Sequence, residues 1–434
     1  MLFTLEALPA EEGDCLLLHW GTRDEPHVAL IDGGPGLVYN NHLRPRLEEI
    51  VANLEVEQLV LELVMVSHMD SDHLVGIKKL FAQLKKEVQG KVPAEERIIR
   101  AERLWLNVFN DVLDDAIDAY YKTLPKGLQA SVDGRPPEEM VEQFREQFAE
   151  EDEKKAEFNA QSIAAVLAGH GEGRTLRDDQ QFLAEAQETR RINSPFSKGG
   201  KATLITLERT PKPVSIEGLE FTITGPMQAE IEALQKEFDK YIAEKGLTAE
   251  AVLAAYSDPS VKNLSSIVCL AEFGGKTILL TGDARGDLML TGLEKRGLME
   301  VGGKMKVDIF KVPHHGSDNN AEPELFERIV ADTYVLSGDG QHGNPEREVL
   351  QWIVDARGKN AKFDLVLTYD VDHIDANRKK EWEKQQKRKK PENRRDWDHD
   401  TMSLATFFEK TKDYKYTLLT GTRKIDLGDE AVDY

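Results

Sequence analysis

Seven residues, Ser67-His68-Met69-Asp70-Ser71-Asp72-His73, follow directly on the apolar run Leu59–Val66, and they constrain the fold more than any other stretch. A continuous apolar run such as LVLELVMV predicts a strand buried on both faces. Its carboxyl end is where open α/β sheets place their sites. His68, Asp70, Asp72 and His73 put four potential metal ligands within six residues. If the turn continues into a helix near Leu74, one pair can face one metal and the other pair a neighbour. The plainer alternative is a capping turn, with Asp72 as N-cap and the histidines as surface polars. A cap needs one such residue, not four.

Other strand ends carry the same kinds of residue. Cys15–Trp20 and Val28–Ile31 read as two strands, the second running into Asp32-Gly33-Gly34. SSIVCLAEF, Gly274-Gly275 and KTILLTGD form a hairpin signature whose second strand ends at Asp283. Val307–Val312 ends in Pro313-His314-His315, and Tyr334–Ser337 runs into a loop carrying His342. The candidate ligands are therefore His68, Asp70, Asp72, His73, Asp283 and one or both of His314 and His315. Imidazole and carboxylate without thiolate suit Zn²⁺, with Mn²⁺ or Fe also compatible. A carboxylate such as Asp283 can bridge two ions about 3.5–4 Å apart, the two-metal arrangement for hydrolysis. Such metals would supply a bridging hydroxide near neutral pH and stabilise charge on an attacked phosphoryl or acyl group. Asp72 lies next to that chemistry, and a histidine not spent on metal, His315 or His342, could protonate the leaving oxygen.

The rest of the chain sets bounds. A net charge of −22 gives an acidic surface and argues against a protein that coats nucleic acid along its whole face. The two cysteines, Cys15 and Cys269, sit in apolar runs and read as small buried hydrophobes, not a disulfide framework. No signal peptide or membrane span is seen, so a cytoplasmic protein is the default expectation. Residues 110 to about 192 are acidic and rich in Glu and Gln, with helical spacing at Met140, Phe144 and Phe148, and read as a helical insertion that could dock a protein partner. The run Glu150–Lys155 reads as a solvated helix face, and His170 as a loop histidine or an extra ligand. Thr203–Leu207 and Leu219–Ile223 predict strands; Ile231, Leu234, Phe238 and Tyr241 predict a second helix; Met402–Phe408 and Tyr414–Leu419 predict a closing pair of strands or a docked tail. Between Arg378 and Arg395 stand ten basic and three acidic residues. This run, including Lys387, Arg388, Lys389 and Lys390, is either a solvated helix or a phosphate-backbone contact, with Trp382 as a stacking group.

SHMDSDH resembles the HxHxDH signature of the metallo-β-lactamase superfamily, with Asp70 in place of the second histidine. IDGG at Ile31–Gly34, LLTGD at Leu279–Asp283 and VPHHGS at Val312–Ser317 look like its first, bridging-aspartate and late-histidine motifs. The HxDxDH variant, with NLSSIV, LLTGD and PHHGS, is most similar to the hydrolase domain of ComEC-type DNA-uptake channel proteins and their stand-alone relatives. EEGDCLLL and HGNPEREVL look like that group's GD-containing first strand and later GHP-type segment. The matches fall in 1–108 and 200–350. The resemblance implies a four-layer αββα sandwich split between 1–109 and 201–375, a helical insertion at 110–200, and a basic helix with a closing segment at 376–434. It implies two divalent ions, Zn or Mn, on His68, Asp70, Asp72, His73, Asp283 and His314 or His315, with Asp32 orienting the ligand loop. The superfamily's third-motif histidine has no match before Leu207, so Asp70, water or His170 would complete that position. The reading that follows is a metal-dependent phosphodiesterase or nuclease. Its rivals are a hydrolase of a small phosphodiester, thioester or lactone, and a non-catalytic metal-binding interaction protein.

Overall fold

The structure, a computed structural model, describes residues 1–107, 171–197, 203–232 and 265–434 apart from Arg388 and Thr422, with isolated positions at 141–142, 145–146 and 236. His170, the spacing at Met140, Phe144 and Phe148, the run Glu150–Lys155, and Leu234, Phe238 and Tyr241 lie outside the described residues.

The first sheet contains β1 (Leu2–Ala7), β2 (Leu16–Gly21), β3 (Pro26–Ile31), β4 (Leu59–Val66), β5 (Ile99–Ala101) and β6 (Leu104–Leu106). The second contains β7 (Val214–Ile216), β8 (Leu219–Gly225), β9 (Val268–Phe273), β10 (Lys276–Leu280), β11 (Met305–Lys311), β12 (Ile329–Leu336), β13 (Phe363–Leu367) and β14 (Tyr416–Thr420). A last strand, β15 (Arg423–Asp426), returns to the first sheet beside β1, giving the orders β15-β1-β2-β3-β4-β5, with β6 also on β4, and β14-β13-β12-β11-β10-β9-β8-β7. The end of the chain thus closes an edge of each sheet. Both sheets are mixed: β3, β4, β5 and β6 run parallel, as do β10 to β14, and the remaining pairs are antiparallel.

Alternating residues decide how the sheets are covered. Leu219, Phe221 and Ile223 of β8 and Ile278 and Leu280 of β10 share one core with Phe3, Leu5, Leu16 and Leu18 of the first sheet. Each such fully buried side chain contributes about 1.5–3 kcal/mol of transfer free energy. A second core lies under the helices α1 (Arg44–Leu54) and α2 (Ser71–Val88) and includes Leu47, Ile50, Ile77 and Phe81. A third lies under α3 (Gly286–Arg296), α4 (Pro323–Arg328), α5 (Arg347–Arg357), α6 (Val371–Lys387) and α7 (Leu404–Lys410). The fold is α/β, with two mixed sheets and helices compatible with a sandwich. In β4 the register slips opposite Val28 and Ala29, so Glu62 bulges; Leu59 and Leu61 face the helices while Leu63 and Met65 face the other sheet.

The hairpin at Gly274-Gly275 forms as expected, both glycines having positive φ (58° and 76°) between paired Phe273 and Lys276. Cys15 and Cys269 are buried free thiols. Four local expectations fail. A further strand, β1, precedes the two read near the N-terminus. Helix α2 starts at Ser71, so Asp70 and not Asp72 holds the N-cap position, where its side chain makes no cap hydrogen bond. Thr203–Leu207 is not a strand: the Ile205 N–H donates to Asn107 Oδ1 (2.8 Å), and Asn107 and Asn193 amides donate to the Ile205 and Thr203 carbonyls (both 3.0 Å). These side chains satisfy backbone groups that a ladder would otherwise use. Met402–Phe408 is largely helical, because Ser403 caps α7 by accepting from the Thr406 N–H (3.1 Å) and Leu404 and Phe407, three apart, bury one face. Among the described residues no helix is long and apolar enough to cross a membrane.

Candidate metal centre

Five strands deliver the site, two from the first sheet and three from the second: β3 leads to Asp32, β4 to His68, β10 to Asp283, β11 to His314-His315 and β12 to Ser337. All are carboxyl ends of parallel-paired strands.

The ligand loop is held by glycine contacts. The Gly33 N–H donates to His73 O (2.7 Å) and the Gly76 N–H to Gly34 O (3.0 Å), so the first turn of α2 lies directly on the DGG loop. Asp32, at φ 58°, accepts from the Ser67 N–H and hydroxyl (2.7 Å each) and lies 2.9 Å from His73 Nδ1. That contact fixes the His73 ring and points Nε2 the other way. His314 and His315 also have positive φ, 49° and 54°, followed by Gly316 at 82°. Left-handed backbone costs a non-glycine residue about 1–3 kcal/mol and persists only where the surrounding structure over-determines it. Here it turns two adjacent imidazoles toward one carboxylate.

That carboxylate is Asp283. Its Oδ1 lies 3.3 Å from His73 Nε2 and 3.5 Å from His315 Nε2, while Asp72 Oδ2 lies 3.7 and 3.4 Å from the same two nitrogens. Its Oδ2 lies 3.7 Å from His68 Nε2 and 3.6 Å from His314 Nε2, and Asp70 Oδ2 is 3.8 Å from His68 Nε2. The structure therefore brings His68, Asp70, Asp72, His73, Asp283, His314 and His315 together, the two late histidines on different sides of one carboxylate. His342 is exposed on a turn, Gln341–Gly343, and no contact among the described residues joins it to this cluster.

Sequence reasoning missed Asp14, Lys311 and Ser337. Asp14 forms a compact His/Asp group with His73, Asp283 and His315. Yet it lies on the Nδ1 side of both rings, 3.9 Å from His73 and 3.5 Å from His315, whereas Asp283 faces their Nε2 atoms. The two nitrogens of an imidazole diverge, so Asp14 belongs behind the rings. The Ser337 hydroxyl donates to Asp14 Oδ1 and lies 3.0 Å from His315 Nδ1, and the Lys311 ammonium is 2.6 Å from Asp14 Oδ2. The one signal available was the Gly13-Asp14 pair at the end of a turn.

Electrostatics and unpaired atoms both call for a cation. Burial depresses His68. For His73 and His315 burial is outweighed, first by Asp283, and both stand well above the usual imidazole range. Burial would raise Asp283, but His73, His315, His314 and His68 hold it well below the carboxylate range. Among the described residues His68 Nε2 and Asp283 Oδ1 are buried without a hydrogen-bond partner, and His73 Nε2 and His315 Nε2 stand 3.2 Å apart. Ring nitrogens and carboxylate oxygens that converge with no other donor between them among the described residues fit a metal ion, and the cluster could bind one.

Next to the site, burial and then Asp318 and Glu348 push the Glu346 carboxyl up to about 7. Its protonated form is favoured by folding, so this contribution is present at pH below the ordinary 4.5 and is lost as pH rises through about 7. Glu346→Gln is expected to raise the melting temperature at pH 8.5 and change it little at pH 4.5. Equal shifts at both pH values in scanning fluorimetry would refute this.

No protein-family model matches the chain. A 99-residue stretch is 35% identical to ComE operon protein 3 of Bacillus subtilis (strain 168), covering 22% of this chain and 12% of that protein. A 75-residue stretch is 33% identical to Microtubule-associated protein 1A of Rattus norvegicus and of Homo sapiens, covering 16% of this chain and 3% of those proteins. The chain thus spans only a small part of the length of the curated relatives it matches.

Proposed function

We propose that this chain is a metal-dependent hydrolase of phosphodiesters, built on an αββα sandwich of the metallo-β-lactamase type, with nucleic acid as its leading substrate. The observation that carries the reading is the division of Asp283, whose two oxygens face two separate sets of imidazoles. His73, His315 and Asp72 would hold one Zn²⁺ or Mn²⁺ ion, His68, His314 and Asp70 the other, with Asp283 between them. On this reading His314 fills the place left by the absent third-motif histidine. When bound, two such ions activate water and stabilise charge on the attacked phosphoryl group. The chain's own contribution is to hold those ligands still: Asp32 fixes His73, and Ser337 with Asp14 fixes His315. Asp70, Asp72 and His314 are the partly exposed members, at 20%, 27% and 27%, so substrate would approach from their side. His315, buried with both ring nitrogens engaged, is better placed as a ligand than as a proton donor. His342, exposed on Gln341–Gly343 and joined to the cluster by no contact among the described residues, would serve as the acid only where substrate reaches that turn.

The similarity to ComE operon protein 3 supports the hydrolase reading, and the basic segment supports a polyanionic substrate. Lys387 and Lys390 are exposed, Lys389 lies 5.3 Å from the Trp382 ring, and Arg388 is outside the described residues. Trp382, the proposed stacking group, packs edge-on against Trp397. The similarity to a microtubule-associated protein favours a second reading, a metal-binding interaction module without turnover. The test is metal-stripped protein reloaded with Mn²⁺ or Zn²⁺ and offered single- and double-stranded DNA, RNA, a chromogenic phosphodiester, a thioester and a lactone. Phosphodiester cleavage that requires metal is expected. Turnover of the acyl substrates alone, or metal uptake with no turnover, would replace it by one of the rivals. Reversing Lys387, Arg388, Lys389 and Lys390 should flatten the salt dependence of DNA binding, by up to about 0.9 in slope for each phosphate no longer neutralised. An unchanged slope would make the run a solvated helix.

A further inference from the structure

We propose that Lys311 is a positioning residue: its ion pair with Asp14 sets the orientation of His315 and keeps the Asp14 carboxylate out of the metal cluster. This rests on the assignment of His315 as a metal ligand. Lys311 is the last residue of β11, immediately before the loop that carries His314 and His315, and it is only 1% exposed. Its ammonium reaches Asp14 Oδ2 at 2.6 Å and donates to Val312 O at 3.1 Å. An ammonium buried this completely is costly unless paired, so the pair needs a reason beyond packing.

The reason lies in what surrounds it. Four other carboxylates, Asp32, Asp70, Asp72 and Asp283, already contact His68, His73 or His315. Asp14 adds a fifth, and it faces the Nδ1 atoms of both His73 and His315. Those nitrogens and this carboxylate make a second nitrogen–oxygen set on the wrong side of the rings, to which a divalent ion would also be drawn. The Lys311 ammonium supplies positive charge there and holds one Asp14 oxygen. The other accepts the Ser337 hydroxyl and backs His315 Nδ1, leaving Nε2 for Asp283 and Asp72. Outer partners of this kind typically change metal affinity 10–100-fold.

The test is a double-substitution cycle with Zn²⁺ affinity and the visible spectrum of the Co²⁺-loaded protein as readouts. Lys311→Met should weaken Zn²⁺ binding about 10–100-fold and alter the Co²⁺ bands. Asp14→Asn combined with Lys311→Met removes both charges and should recover most of that loss. If Lys311→Met alone does not fold, Asp14→Asn is compared with the double variant. Similar affinities and spectra are expected, since Lys311 no longer has a carboxylate to hold. Additive losses, or a further large loss on removing Lys311 from the Asp14→Asn background, would overturn the proposal. Wild-type protein that takes up no Zn²⁺, Mn²⁺ or Co²⁺ would instead overturn the metal-centre reading itself, so the two failures are distinct.

Discussion

Asp283→Ala is expected to yield folded protein that has lost bound metal and turnover together. The carboxylate is nearly fully buried and contacts four imidazole nitrogens. Removing an outer partner of a ligand costs roughly 10–100-fold in affinity, and removing a carboxylate common to both sides should cost more. It also leaves His73 Nε2 and His315 Nε2, 3.2 Å apart, without the charge that organises them. Elemental analysis after dialysis is the measurement. Wild-type metal content with lost activity would rule out the bridging position and leave Asp283 as a group that acts only on substrate.

Gly76→Ala should be almost as damaging although it removes nothing. A Cβ there would sit 1.9 Å from Gly33 O, 2.7 Å from Gly33 C and 3.1 Å from Gly33 Cα, all backbone atoms. No rotamer relieves that clash, so α2 must move away from the DGG loop. Overpacking of this kind costs about 1–3 kcal/mol. Because α2 also carries Asp72 and His73, the displacement should weaken metal binding as well as stability. Urea unfolding and a Zn²⁺ titration report the two effects. An unchanged midpoint together with unchanged affinity would show that the helix and loop do not bear on each other as described.

What could be read from the residues follows from how locally each feature is determined. The strand Leu59–Val66, the hairpin at Gly274-Gly275 and the crowding of ligand types at strand ends each have their cause within a few neighbouring residues. Asp14 does not: its partner Ser337 is 323 positions away, and a Gly-Asp pair at a turn has an ordinary explanation by itself. Nor was it readable that His314 and His315 serve opposite sides of Asp283, since that depends on two left-handed backbone conformations that no propensity favours for histidine. Thr203–Leu207 looked like a strand because its side chains suit one, and Asn107 and Asn193 took its hydrogen bonds instead. In Met402–Phe408 the spacing of Leu404 and Phe407 carried more weight than the apolar content of the segment.

The closing strands have a consequence for how the chain is made. Strand β15 pairs with β1 from Thr4 opposite Asp426 to Ala7 opposite Arg423, so 422 positions separate Thr4 from its partner and β1 leaves the ribosome long before β15. Until β15 has been made, β1 presents an open edge, the kind of surface on which neighbouring nascent chains pair and aggregate. Contacts so distant in sequence also form slowly, because a long loop must close before they return any free energy. Strand β1 is thus among the last to be sealed, and protection by a chaperone would matter most for this edge.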